Sequence, residues 1–509
     1  MTYMKKSKLL ALVAATVLAA PLSAQEKPTP KSSTKAPSTA AKQQAQPSFD
    51  RTAVPAAGKM PELHVPAWTK QSLSNGAQLI VSERHNLPLV SFNITFIGGA
   101  NQYEPADKRG LASFVASMLS EGTKTRTGDQ LSADLQLLGT SVNTGIGGET
   151  GAIGFFATKD KFEPTLAILQ DELVNPTFPA EALERLRART LVNLKQSRDR
   201  TAAIASNVFS KTLYSEAHPY GRVVTEQSVN NITRDDIQSF YKNYFQPGHA
   251  VITVVGDVNP ADVKAAIEKG LASWTAGGSM PSFDYPAVPP QKGTTIFLVD
   301  KTGAAQSSFA LGTPGPSRAT PDYYALEVMN TLLGGMFQSR LNANIREQKG
   351  YSYGVGSGFA FGRGPGSFRT GGDIVTAKTD SALIEFMKEL KGIRGERPVT
   401  DEELATAKAN LVQSLPEEFS SVSSVRSSIA GIYAQGLPED YYQNYAKNVN
   451  AVTKEDLVRV ANKYIDLDHL ALVIVGDRKT IEAPLAATKI APIVLLDLDG
   501  NPVPNPVTP

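Results

Sequence analysis

The chain repeats itself, and that repeat limits its architecture more than any other feature. Residues 229–257 read VNNITRDDIQSFYKNYFQPGHAVITVVGD, and residues 449–477 read VNAVTKEDLVRVANKYIDLDHLALVIVGD. The two stretches align over 29 residues without a gap, at an offset of 220. Each opens on a threonine with an acid three residues later, the mark of a helix N-terminus. Spaced apolar residues follow, and then a wholly apolar strand. The same offset of 220 lays Leu191-Val192 over Leu411-Val412. Self-similarity at this period predicts two copies of one domain, and 509 residues leave room for two or three.

Each copy predicts strands and helices in the same order. In the first, AQLIVSER and LVSFNITFIGG read as strands and 107–121 as a helix; EPTLAILQDEL, EALERLRARTLVNLKQ and AAIASNVFSKTLY read as later helices. In the second, TTIFLVD and SSFALGT are strands, and DYYALEVMNTLLGG, IEFMKELKGI and DEELATAKANLVQSL are helices. That order predicts an α+β fold: two homologous sandwich domains, with helices packed on one face of a mostly antiparallel sheet. The domains are expected at 63–274 and 293–482, joined by the Gly/Pro-rich linker 275–292 and followed by a Pro-rich, irregular tail, 483–509. Residues 1–24 carry Lys5, Lys6 and Lys8, a 12-residue apolar run and LSA before Gln25, the pattern of a secretory signal. A retained membrane anchor is the other reading of that segment. Residues 25–62 have too few apolar groups to offset their ordering entropy and read as a flexible leader. Net charge is +2, and removal of residues 1–24, with three lysines and no acid, brings it to −1. So neutral a balance argues against nucleic-acid binding.

Residues 110–123, GLASFVASMLSEGT, keep the frame of a zinc-binding helix and lack its ligands. They resemble the GLAHFLEHMLFKGT type of segment of the insulinase/pitrilysin peptidases, a processing-peptidase-like family whose H-x-x-E-H helix binds zinc. The resemblance covers roughly residues 66–480, and implies the family's two-copy metallopeptidase-homologue architecture, which is also LuxS-like. Residues four apart share one helix face, so two histidines there can grip one zinc while the glutamate takes a proton from its bound water. Here the histidine positions are Ser113 and Ser117, and the glutamate position is Ala116. The family's third ligand is a glutamate on a later helix; aligned on Glu184 of ERLRARTLVNLKQSRD, it falls on Asn193. The chain has no cysteine, and its five histidines (His64, His85, His218, His249 and His469) form no local pair. The resemblance therefore implies a non-catalytic member with no zinc of its own.

LLGGMFQSRLNANIREQKGYSYGVGS, residues 332–357, resembles the family segment GGxFxSRLxxxLREKxGYxYxxxS. In active relatives an arginine and a tyrosine seven residues apart hold the substrate backbone and the developing oxyanion. The matching pair is Arg346 and Tyr353, with Tyr351 an alternative for the tyrosine. A guanidinium and a phenol are fixed donors suited to a carbonyl oxygen. The plainer reading ends a helix at Arg346 and packs both tyrosines in a strand. Gly334 and Gly335 read as a helix end, FGRGPGSF (361–368) as a hairpin, and Glu184, Asp171 and Glu172 as solvated helix faces.

The expectation is a periplasmic or secreted subunit of a two-chain zinc peptidase, with no membrane contact after signal removal. It would lend Arg346 and Tyr353 to an H-x-x-E-H partner, in which the zinc resides, and act on peptides or unfolded proteins as a heterodimer. The alternative is a catalytically inert scaffold of the same fold.

Overall fold

The computed structural model describes residues 63–503, apart from 276 and 279; the expected signal and leader lie outside them. The first copy supplies β1 (Thr69–Ser72), β2 (Gln78–Glu83), β3 (Leu89–Ile97), β4 (Val142–Ile146), β5 (Thr150–Thr158) and β6 (Ala250–Gly256). The second supplies β7 (Thr295–Asp300), β8 (Gln306–Gly315), β9 (Ser352–Ala360), β10 (Gly366–Val375), β11 (Ala471–Gly476) and β12 (Ile493–Leu496). The sheet orders are β1-β2-β6-β3-β5-β4 and β12-β7-β11-β8-β10-β9. In each, the closing strand of the repeat sits centrally, parallel to one neighbour and antiparallel to the other. The fold is thus α+β with two mostly antiparallel sheets.

The repeat is matched in its caps. Helices Arg234–Tyr244 and Lys454–Tyr464 start at Thr233 and Thr453, whose hydroxyls accept from the N–H of Asp236 and Asp456. Such a cap contributes about 1 kcal/mol. Both lead into fully buried strands, β6 and β11.

Helices cover one face of each sheet, as expected, and the other face holds something the sequence did not suggest. Helix Thr201–Tyr214 of the first copy lies on β8 and β11 of the second, and helix Val422–Gln435 of the second lies on β3 and β6 of the first. Ile204, Val208 and Phe209 join Val299, Ala310, Val473 and Val475 in one apolar cluster. Val425 and Ile429 join Ile80, Val251 and Val255 in another. Each copy therefore completes the core of the other.

Three expectations need correction. The 107–121 helix is broken: a turn at Ala106–Lys108 precedes the helix Leu111–Met118, because Gly110 takes a left-handed φ of 105°. The tail after 483 is not irregular at its start. Helix Arg478–Ala487 runs through Pro484, and β12 pairs with β7, since Leu495 and Leu496 gain burial there. Asp171 and Glu172 are 8% and 1% exposed rather than solvated.

Candidate functional site

Helix Leu111–Met118 is held by its apolar side: Leu111, Ala112, Phe114, Val115 and Met118 enter the first core. Its N-terminus is capped from a distance. The Glu104 carboxylate accepts the N–H groups of Gly110 at 3.0 Å and Ala112 at 2.8 Å, and pairs with Arg109 at 2.8 Å. Burial pushes the Glu104 carboxyl up, against the pull of Arg109. Sequence reasoning missed Glu104; the signal was an acid ahead of a helix start.

On this intact frame Ser113 is exposed, Ser117 half-buried and Ala116 buried. Two hydroxyls one turn apart and a methyl offer neither a zinc-binding nitrogen nor a base. Asn193 is exposed on helix Ala180–Ser197, which touches the motif helix. Among the described residues no group of three or more His, Cys, Asp or Glu is arranged to hold a metal. Four of the histidines have ordinary structural partners: His85 with Asp257 at 2.6 Å, His218 with the Pro286 carbonyl at 3.1 Å, His249 with the Tyr103 hydroxyl at 3.4 Å, and His469 with Asp466 at 2.7 Å.

The second constellation is built where a helical turn hands over to β9. Arg346 lies in the wide turns Asn342–Gln348; its carbonyl accepts from Gly350 at 3.1 Å, and the Ile345 carbonyl accepts from Tyr351 at 3.0 Å. The chain then enters β9, the edge strand of its sheet. This handover divides the two tyrosines. Tyr351 packs on the second core, with the Lys378 ammonium 5.7 Å above its ring. Tyr353 is 92% exposed, and its hydroxyl has no hydrogen-bond partner among the described residues. The Arg346 guanidinium stacks 4.3 Å over Phe337, itself 63% exposed, and its Nε lies 3.2 Å from Glu347. Phe337 was not singled out, although it stands at the Phe of the GGxFxSRL segment.

The two copies also touch across the β4–β5 turn. Glu149 accepts the N–H groups of Arg363 at 2.7 Å and Gly364 at 3.3 Å, together with the Tyr220 hydroxyl. The FGRGPGSF segment is thus the β9–β10 hairpin, and the first copy grips it. Gly335 ends a helical turn, and Glu184 is a solvated residue paired with Arg187 at 3.1 Å.

Asp171 accepts from Thr123 at 2.6 Å, Asn175 at 3.0 Å and Arg126 at 3.0 Å. Glu172 has no partner for either carboxyl oxygen among the described residues. Burial, with the nearby charge of Asp171, pushes its carboxyl up to about 8. It falls four residues after Ile168 and seven after Thr165, both buried, and that spacing was the available clue.

A peptidase frame emptied of its metal ligands is the class of protein that fold and site define. The family models agree in their two parts. Residues 79–223 match "Insulinase (Peptidase family M16)", and residues 231–411 match "Peptidase M16 inactive domain". The chain belongs to the insulinase (M16) peptidase family. It is 23% identical over 420 residues, 82% of this chain and 96% of the relative, to "Non-peptidase homolog YmxG" of Helicobacter pylori. It is 24% identical over 360 residues, 70% of this chain and 86% of the relative, to "Uncharacterized zinc protease YmxG" of Bacillus subtilis. Among solved structures it resembles an M16 inactive domain from Pseudomonas fluorescens, with TM-score 0.74 and 25% identity over 80% of this chain and 98% of that one. The fold is also that of the periplasmic protease PqqL of Escherichia coli, with TM-score 0.67 and 18% identity over 84% of this chain and 48% of that one. No helix of the described residues is long and apolar enough to cross a membrane.

Proposed function

We propose that the chain is the zinc-free subunit of an exported two-chain M16 peptidase, lending Arg346 and Tyr353 to an H-x-x-E-H partner that holds the zinc. The observation that carries this reading is the state of Tyr353. A tyrosine 92% exposed on an edge strand, with no hydrogen-bond partner of its own chain among the described residues, contributes nothing to the core. Arg346 is presented seven residues away with its guanidinium on an exposed phenylalanine. Such donors suit a carbonyl oxygen supplied from outside. The signal-like residues 1–24 support export to the periplasm or beyond. The printed name of the Helicobacter relative supports a chain without catalysis of its own. Ser113, Ala116, Ser117 and Asn193 leave it no metal-activated water, so the zinc belongs in the partner.

The test is turnover by the reconstituted pair. Tyr353→Phe keeps the ring and removes one donor, which costs on the order of 100-fold or more in kcat where that donor meets an oxyanion. Arg346→Ala should act similarly, and neither change should disturb complex formation or melting temperature. Unchanged peptide hydrolysis with both variants would assign the chain to the inert scaffold class.

A further inference from the structure

The face of the second sheet that receives helix Thr201–Tyr214 is covered only in part. The remainder is a cleft of about 660 Å³ between that helix and β8–β10. Its floor is almost bare of side chains, for a reason written in the strand register. Arg369 of β10 stands between Gly312 of β8 and Gly358 of β9. The next row is Ala310, Gly371 and Gly356. A Cβ added at Gly358 would meet nothing within 4 Å, so the trough is open above it.

Arg369 is the cation of this trough, and it is poorly matched. One Nη donates to Ser206 at 3.1 Å, and the guanidinium lies 5.5 Å from the Phe209 ring. It has no ion pair among the described residues, and burial alone lowers its pKa. Asp373, on the same face of β10, is four residues along the strand, about 13 Å away. Half-buried charge without a counter-charge is costly. The walls are apolar at Phe209 and Ala360, and hydroxylated at Ser210 and Ser367. One cation, an apolar wall and a few hydroxyls in this volume form a ligand site rather than a packing defect.

We propose that this trough binds the free C-terminal carboxylate of a peptide whose last residue is apolar, with Arg369 gripping the carboxylate. A guanidinium is matched to that group by two parallel N–H donors. The glycine floor lets a main chain lie close to the sheet, and the apolar wall of Phe209 and Ala360 receives the terminal side chain. The inference rests on the reading that the chain handles peptides. It is independent of Arg346 and Tyr353: Gly358 is five residues along β9 from Tyr353, about 17 Å.

The experiment uses the purified full chain with no partner, so its failure is separate from failure of the two-chain reading. A fluorescein-labelled hexapeptide ending in Leu-Phe is titrated by fluorescence polarisation as the free acid and as the C-terminal amide. The acid is expected to bind about tenfold or more tighter than the amide. Arg369→Gln should erase that difference. Gly358→Leu should weaken both forms by filling the trough, with the melting midpoint unchanged. Equal binding of acid and amide by the native chain overturns the proposal, as does an acid preference that survives in a folded Arg369→Gln variant. Hydrocinnamate tests the other source of the carboxylate: displacement of the peptide at equal concentration would overturn the peptide assignment, and weak displacement supports it.

Discussion

Glu172 is a carboxylic acid placed where its charge is least welcome. Its carboxyl is pushed from 4.5 up to about 8, first by burial and then by the charge of Asp171. A carboxyl raised on folding binds its proton more tightly in the folded chain, so the fold gains stability that is fully present below pH 4.5 and lost as pH rises through about 8. The loss is on the order of a few kcal/mol. Glu172→Gln cannot ionise, so urea unfolding should show a flatter stability profile over that range, with the variant gaining on the native chain as pH rises. Parallel profiles for the two proteins would show that Glu172 finds a partner after all. Asp171, one residue earlier, is held below the ordinary range by hydrogen bonds from Thr123, Thr125, Asn175 and Arg126, in spite of its own burial. Neighbours in sequence, the two acids have opposite chemistry because the side chains around them differ.

At the scale of the element, helix Leu111–Met118 holds its position with no zinc ligand on it. Its apolar side and its distant cap at Glu104 fix it in the core, and neither depends on a metal. Ligands could therefore be built onto it. Ser113→His, Ala116→Glu and Ser117→His restore two nitrogens and a base, but a zinc site needs a third protein ligand. Adding Asn193→Glu should tighten zinc binding about tenfold or more over the triple variant, read by competition with a chromophoric chelator. Equal affinities would mean that Asn193 is not the ligand position. The helix was legible in the sequence because its frame, Gly110 to Thr123, is contiguous. Glu104 was not, since its role depends on a fold-back of the chain rather than on spacing along a helix.

At the scale of the molecule, the exchange of helices ties the two copies into one cooperative body. Phe209 is 3% exposed, and it is packed against the sheet of the other copy. Phe209→Ala should cost about 3–5 kcal/mol and lower the midpoint of a single calorimetric transition. Two separate transitions, with only one displaced, would mean that the copies melt independently. The sequence by itself determined the two-copy plan, the capped helix and strand of each repeat, and the blank zinc motif, because all three are written in short contiguous patterns. It held the Arg346–Tyr353 spacing but not which tyrosine is exposed, since burial of Tyr351 depends on the core beneath it. Only the tertiary structure decided the helix exchange, the burial of Glu172 and the bare trough around Arg369. Each of these joins residues from separate parts of the chain, and an isolated glutamate or glycine looks the same in sequence whether it faces water, a core or a cleft.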